Sequence, residues 1–343
     1  MKKHIIQIFI LILTFVIWWD FGFAADGKPD YWPTKGWRTS TPESQGIDSE
    51  KLVQMVKWIE DYHYSIDSIT IIRNGYMILD IYFYPFRKGY KHIIFSCTKS
   101  ITSTLIGIAI DKGYIEDEDQ PLLKFFPERA VANLSNQKKA ITLEHILTMT
   151  SGLNTKDNFS YRWDGLEKMK KSKDWIQYAL DLPMADEPGN TFEYSNIGSF
   201  LLTAILQKTT KMNGFDFAKK YLFHPLGITN VTWWSSPQGI SIGYSTMMLT
   251  PHDMAKIGFL YLNHGFWENK QIVSKEWVES ATFGQVLTTL SQSEISDEYG
   301  YQFWVDSKGY YMAAGYGGQV IIVVPKKKHG HSNHEWWRAA WGN

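Results

Sequence analysis

A single cysteine, Cys97, stands among 343 residues. One thiol excludes an intrachain disulfide framework and any zinc cluster built on cysteine. Charge of one sign is also missing, since 35 Lys+Arg balance 35 Asp+Glu. That balance gives no general attraction to nucleic acid or to an anionic membrane surface. The chain contains no Gly-x-Ser-x-Gly nucleophile elbow, no His-Glu-x-x-His zinc pair and no Gly-x-x-x-x-Gly-Lys phosphate loop. Internal repeats and low-complexity linkers are absent. What is present is 44% hydrophobic and 15% aromatic residues. This composition excludes disorder, collagen and coiled coil for the chain as a whole, and its length fits one large domain or two of ordinary size.

Residues 1–24 read as an address. Lys2 and Lys3 precede an apolar run from Ile5 to Trp19, interrupted only by Gln7 and Thr14, and Gly22-Phe23-Ala24 offers small residues at a cleavage site. This is the layout of a secretory signal peptide, and the run is shorter than the roughly 20 residues a membrane-crossing helix needs. The expectation is a periplasmic or secreted protein of residues 25–343, anchored to a membrane only if the segment is retained.

The remaining pattern predicts a mixed α/β chain. Leu52, Met55, Val56 and Ile59 mark one face of a helix over Ser49–Tyr62. Ser68–Arg73 and Tyr76–Tyr84 read as strands joined by Asn74-Gly75, a hairpin turn whose two residues both need positive φ. From about Thr98 to Lys220 the periodicity is helical. Helices follow over 251–264 and 274–282, then strands over Tyr310–Ala314 and Gln319–Val324. The expected architecture is an α/β part from both ends of the chain, about 35–95 and 230–325, with a helical part inserted over about 96–229.

Ser96 and Lys99 carry the sharpest chemical signal. They open an apolar helix running to Gly113, and their i, i+3 spacing puts both on one face. A serine hydroxyl is too weakly acidic to attack unaided, and a lysine kept partly neutral by burial can take its proton. The helix N-terminus adds partial positive charge where an oxyanion would form. Tyr194 and Asn196 follow a loop and precede the apolar helix Ile197–Gln207. A phenolate at Tyr194 can exchange the serine proton with a leaving group, and the Asn196 amide can bond the lysine or the substrate. The strand ending in Gly315-Tyr316-Gly317-Gly318 can bring backbone N–H groups close to a bound carbonyl. Two decoys repeat these patterns. Ser135-x-x-Lys138 lies in a polar stretch read as a solvated loop, and Tyr261-x-Asn263 lies in an ordinary helix and reads as structural. Cys97 is rotated away from Ser96 by about 100° and reads as packing.

In this order, Ser96-x-x-Lys99, Tyr194-x-Asn196 and the glycine-bearing strand resemble the serine β-lactamase and penicillin-binding-protein superfamily. The Tyr-x-Asn form is similar to its class C and esterase branch. Supporting stretches are Ile141–Leu153, Pro188-Gly189 and Leu249–Ala255. The resemblance is strongest to 6-aminohexanoate-dimer hydrolase-like and family VIII esterase-like enzymes, over residues 35 to 325. It implies a β-lactamase-like fold, an antiparallel sheet flanked by helices with an inserted all-helical domain. It also implies an acyl-enzyme on Ser96, Lys99 and Tyr194 as the base pair, and Asn196 as a positioning residue. The N–H groups of Ser96 and Tyr316, flanked by Gly315 and Gly317, would form the oxyanion hole. The substrate would be a small ester, amide or peptide-like molecule, with no cofactor and no nucleic-acid partner; oligomeric state is left open.

Two departures sharpen the expectation. The family's Lys-Thr-Gly or His-x-Gly motif is matched here by Ala313-Ala314-Gly315, so the cation that holds a substrate carboxylate is missing. An ester or small amide is then favoured over a β-lactam or D-Ala-D-Ala substrate. After Pro325 the sequence shows neither strand alternation nor an amphipathic helix, so residues 326–343 read as a truncated or frame-shifted tail, with instability of the sheet as the expected consequence. The tail's His329, His331 and His334 are read as incidental, with no metal site expected. A non-catalytic binding or sensor protein is the alternative of a different class. The intact trio Ser96, Lys99 and Tyr194 argues against it.

Overall fold

The computed structural model describes residues 29–157, 162–288 and 295–325. The proposed signal segment and the histidine-bearing tail lie outside the described residues. In chain order the helices are α1 (Ser49–Asp61), α2 (Cys97–Asp111), α3 (Asn136–Lys139), α4 (Leu143–Leu147), α5 (Asp164–Lys171), α6 (Trp175–Asp181), α7 (Asn196–Thr210), α8 (Gly214–Ala218), α9 (Pro251–Leu262) and α10 (Lys275–Ala281). The strands are β1 (Ser68–Arg73), β2 (Tyr76–Tyr82), β3 (His92–Ile93), β4 (Met248–Leu249), β5 (Phe266–Trp267), β6 (Lys270–Gln271), β7 (Val286–Leu287), β8 (Glu298–Tyr299), β9 (Trp304–Asp306), β10 (Tyr310–Gly315) and β11 (Gln319–Val323). Between Cys97 and Phe223 the named elements are all helical.

Among the described residues the named strands pair with one another antiparallel, and Thr39 adds a single parallel bridge to Met77 of β2. Among the described residues the main sheet has five strands in the order β11-β10-β9-β8-β7. The β1–β2 hairpin forms as the Asn-Gly pair predicts: Asn74 and Gly75 sit at φ 50° and 78° and Arg73 pairs with Tyr76. No ladder joins this hairpin to β11 among the described residues. Helix α9 packs against both instead, with Phe259 beside Gly75 and Gly258 beside Ile321.

The centre of the molecule is the pair α2 and α7, each 15 residues long, packed against one another. Every residue of α2 from Cys97 to Ala109 is buried, as expected of a helix apolar around most of its circumference. The helix ends where Gly113 adopts φ 71°, a left-handed conformation that stops helical propagation at little cost for glycine. Two hydroxyls inside this pair are satisfied by a neighbouring strap of chain. Thr102 donates to the Gly243 carbonyl at 2.8 Å and Thr203 to the Ser241 carbonyl at 2.8 Å. Gly243 is required there, because a Cβ would lie 2.4 Å from the Ser199 carbonyl oxygen.

Gln302 binds the sheet to the same helices. Its side-chain amide donates to the Leu147 carbonyl at 2.8 Å, its Oε1 accepts from Ser199 Oγ at 2.7 Å, and its backbone carbonyl accepts from Ser100 Oγ at 2.6 Å. These bonds place β9, and with it Trp304, beside the N-terminal turns of α2 and α7.

Candidate active site

Ser96 is the N-cap residue of α2, directly after Phe95 at φ 45°. A bulky residue held at positive φ is strained, which marks a turn the surroundings impose. Upstream, β3 pairs with β4 and the Ile94 amide donates to the Met247 carbonyl at 2.9 Å. The serine is therefore delivered from a pinned strand into the first turn of the most deeply buried helix.

Lys99 is 1% exposed, and its Nζ has three oxygen partners. They are Asn196 Oδ1 at 2.6 Å, the Tyr244 carbonyl at 3.1 Å and Ser96 Oγ at 3.2 Å. Burial pulls the lysine down to about 7, against the opposing pull of the Asp157 carboxylate. Two of the three partners are carbonyl oxygens, which only accept. A neutral amine has two hydrogens and one lone pair. With both hydrogens committed to the carbonyls, the lone pair faces Ser96 Oγ.

Tyr194 is buried and also within hydrogen-bonding reach of Ser96. Its ring centroid lies 4.8 Å from Lys99 Nζ and stacks on Trp304, with centroids 5.8 Å apart at 16°. Burial pushes the phenol well above its ordinary range, so a resting phenolate is disfavoured. The easier base is Lys99, and Tyr194 is better suited to donate a proton. Behind it, Phe192, Tyr299, Trp304, Tyr310 and Met312 form a second apolar cluster.

Asn196 is the first residue of α7, and its amide faces the lysine. Gly315 ends β10 against the serine: a Cβ there would lie 2.4 Å from the Ile94 carbonyl oxygen and 3.1 Å from the Ser96 amide nitrogen. Glycine is thus the residue that lets β10 approach the nucleophile. Tyr316 is two-thirds exposed at 66% and meets Phe95 edge-on, with centroids 5.6 Å apart. Gly317 and Gly318 turn the chain at φ 76° and 85°. Cys97 Sγ donates to the Gln319 carbonyl at 3.2 Å, tying the start of β11 to α2. The structure thus brings Ser96, Lys99, Tyr194, Asn196 and Gly315 together, with Tyr316 and Gly317 at the rim.

The two decoys part ways. Tyr261 is buried and bonds Thr104 at 2.8 Å, a structural role as read from the sequence. Ser135 and Lys138 are not a solvated loop. Ser135 caps α3 by accepting from the Lys138 amide, and Lys138 is 1% exposed, with Nζ donating to the carbonyls of Ala132 at 2.8 Å and Leu180 at 3.0 Å. A polar sequence there conceals a cation that crosslinks two segments of backbone.

Sequence reasoning missed Tyr244, Asp157 and Trp304. Asp157 is fully buried and its carboxyl, pushed up to about 6 by desolvation, takes three hydrogen bonds from the start of α7. Among the described residues no group of three or more His, Cys, Asp or Glu is placed to hold a metal ion. Among them, too, no helix is long and apolar enough to cross a membrane.

A family model described as Beta-lactamase matches residues 53–331. The 6-aminohexanoate-dimer hydrolase of Paenarthrobacter ureafaciens is 22% identical over 283 residues, covering 76% of this chain and 70% of that protein. Beta-lactamase-like protein 2 of Dictyostelium discoideum is 25% identical over 269 residues, 68% of this chain and 47% of that protein. Among solved structures, the octameric penicillin-binding protein homologue from Pyrococcus abyssi superposes with a TM-score of 0.59 at 20% identity, covering 80% of this chain and 67% of that one. A penicillin-binding protein homologue from Caulobacter crescentus gives 0.59 at 15% identity, covering 79% and 87%. These structural likenesses concern the fold.

Proposed function

The chain belongs to the beta-lactamase family, and from that premise we propose that it is an exported serine hydrolase cleaving a small ester or amide through an acyl-enzyme on Ser96. The single observation that carries this reading is the placement of Lys99 Nζ, 3.2 Å from Ser96 Oγ with two carbonyl acceptors at its other sides.

In the first step the Ser96 O–H bond breaks and its proton passes to the Lys99 lone pair, while Oγ bonds the substrate carbonyl carbon. The oxyanion forms at the start of α2, where the N–H groups of Ser96 and Tyr316 receive it. Collapse breaks the bond to the leaving group, which takes a proton from the Tyr194 hydroxyl; Tyr194 is reprotonated by Lys99. Water, deprotonated by the same lysine, then attacks the acyl carbonyl; the bond to Ser96 Oγ breaks, the lysine returns its proton to Oγ, and the acid is released.

Substrate choice follows from what surrounds this centre. Ala313 is buried and uncharged where a carboxylate-holding cation would stand. The phenol of Tyr194 is backed by an aromatic wall. Both favour a neutral acyl group over a β-lactam or peptidyl carboxylate. The likeness to a 6-aminohexanoate-dimer hydrolase keeps a linear amide among the candidates. Hydrolysis of short p-nitrophenyl esters and of matched anilides, compared with Ser96→Ala, tests the proposal. Turnover by the parent and none by the variant is expected; equal turnover by both would refute it.

A further inference from the structure

We propose that Asp157 is a positioning residue that sets the direction of the Lys99 lone pair by locking the Asn196 amide in one orientation. The inference rests on the serine hydrolase reading and adds a residue to it.

Asp157 is 0% exposed and lies 39 residues before Asn196 in the chain. One carboxylate oxygen, Oδ2, accepts from the backbone N–H groups of Asn196 at 2.6 Å and Ile197 at 2.8 Å. These are the first two donors of α7. Ser195 Oγ takes the third useful one, accepting from Gly198 at 3.0 Å. A helix start leaves such donors without intrahelical partners, and a carboxylate there is favoured by the dipole. So far this is a cap.

The other oxygen goes beyond a cap. Asp157 Oδ1 accepts from Asn196 Nδ2 at 3.0 Å. The amide's opposite end, Oδ1, accepts from Lys99 Nζ at 2.6 Å. Flipping the amide would set its oxygen against a carboxylate and its NH2 against the lysine hydrogens. A carboxylate is acceptor-only, so Asp157 permits one orientation. With Asn196 Oδ1 held toward the lysine and the Tyr244 carbonyl on another side, the Ser96 hydroxyl is the donor left, among the described residues bonded to Nζ, for the lone pair of a neutral Lys99. The carboxylate thus acts on the serine through two intervening groups. The ionisable groups facing Lys99 are Asp157, Tyr194, Tyr244 and Cys97.

The test is the rate of fluorophosphonate labelling, with a thermal melt of each protein. In Asp157→Asn the new NH2 can donate to Asn196 Oδ1, turning the Asn196 NH2 toward Lys99 and capturing its lone pair. Labelling should fall about 30-fold, on the 10- to 100-fold scale seen where a group that orients a metal ligand is replaced, while the protein still melts cooperatively. The double variant Asp157→Asn with Asn196→Asp swaps the pair: it restores an acceptor facing Lys99 and a donor behind it. It should regain labelling to within about tenfold of the parent on the alkaline plateau. Its acid limb should move to higher pH, because the carboxylate is now in contact with the lysine. A cap alone predicts no such rescue and no shift of the limb. Labelling of Asp157→Asn at the parent rate would overturn the proposal, as would a folded double variant as slow as the single one. Should Asp157→Asn fail to fold, the folded double variant decides by the same criterion. A parent protein that is folded and not labelled would instead refute the serine hydrolase reading, and this proposal with it.

Discussion

Gly315 and Ser96 approach so closely that a methyl group on the glycine would stand 3.1 Å from the serine amide nitrogen. The contact joins the end of the central sheet to the first turn of the central helix. It is the point where two distant parts of the chain assemble the proposed oxyanion hole.

Gly315→Ala should therefore push β10 away from Ser96 and spoil the hole without removing a catalytic side chain. Loss of one oxyanion donor typically costs about 10²–10³ in turnover, and kcat for a short ester should fall on that scale. Parallel melts should show a folded protein. Near-parent kcat in a folded variant would mean that the oxyanion is held elsewhere.

Lys99 sets the pH dependence. Burial lowers the ammonium to about 7, so the lone pair is present above that pH and lost as pH falls through it. The limb belongs to the coupled Lys99–Asp157 pair rather than to one residue. The ratio kcat/KM should rise with pH to a plateau, its acid limb bending near 7 and dropping about tenfold per pH unit below. A flat profile between pH 5 and 9 would remove Lys99 from the role of base.

Trp304 supports Tyr194 from behind. Trp304→Ala removes a buried ring and should cost about 3–5 kcal/mol of stability, read by denaturant unfolding. Trp304→Phe keeps an aromatic face beneath the phenol and should retain most activity. If alanine at this position loses stability while kcat in the folded fraction stays at the parent value, the stack has no part in orienting Tyr194.

Ala313 bears on substrate class. A fluorescent penicillin, deprived of a charge-assisted hydrogen bond, should acylate about 10- to 100-fold more slowly than an uncharged ester of similar reactivity. Faster capture of the penicillin would place a carboxylate-binding cation elsewhere than at position 313.

What could be read from the sequence was local. Ser96 and Lys99 share one helical turn, and Asn74-Gly75 encodes its own turn, so spacing and turn chemistry reveal both. Tyr194 and Asn196 announce themselves by standing at the start of an apolar helix. Asp157, Tyr244 and Trp304 escape notice because they act through space. The Tyr244 carbonyl reaches Lys99 across 145 residues of chain, through a backbone atom that any residue type supplies. Asp157 has no sequence signal, since a lone carboxylate in a polar stretch reads as solvated. The same bias misplaced Lys138, whose burial depends on carbonyls of Ala132 and Leu180 that sequence patterning does not reveal.

An activated nucleophile at Ser96 underlies every step of the proposed reaction, and intact mass after fluorophosphonate treatment reads it without any choice of substrate. Cys97 is buried and its thiol is pushed up by desolvation, so it should not compete for the reagent. A single adduct on the parent protein, with none on Ser96→Ala, is the expected result. An unmodified mass on a cooperatively folded parent, or the same adduct on both proteins, would show that Ser96 is not an activated nucleophile.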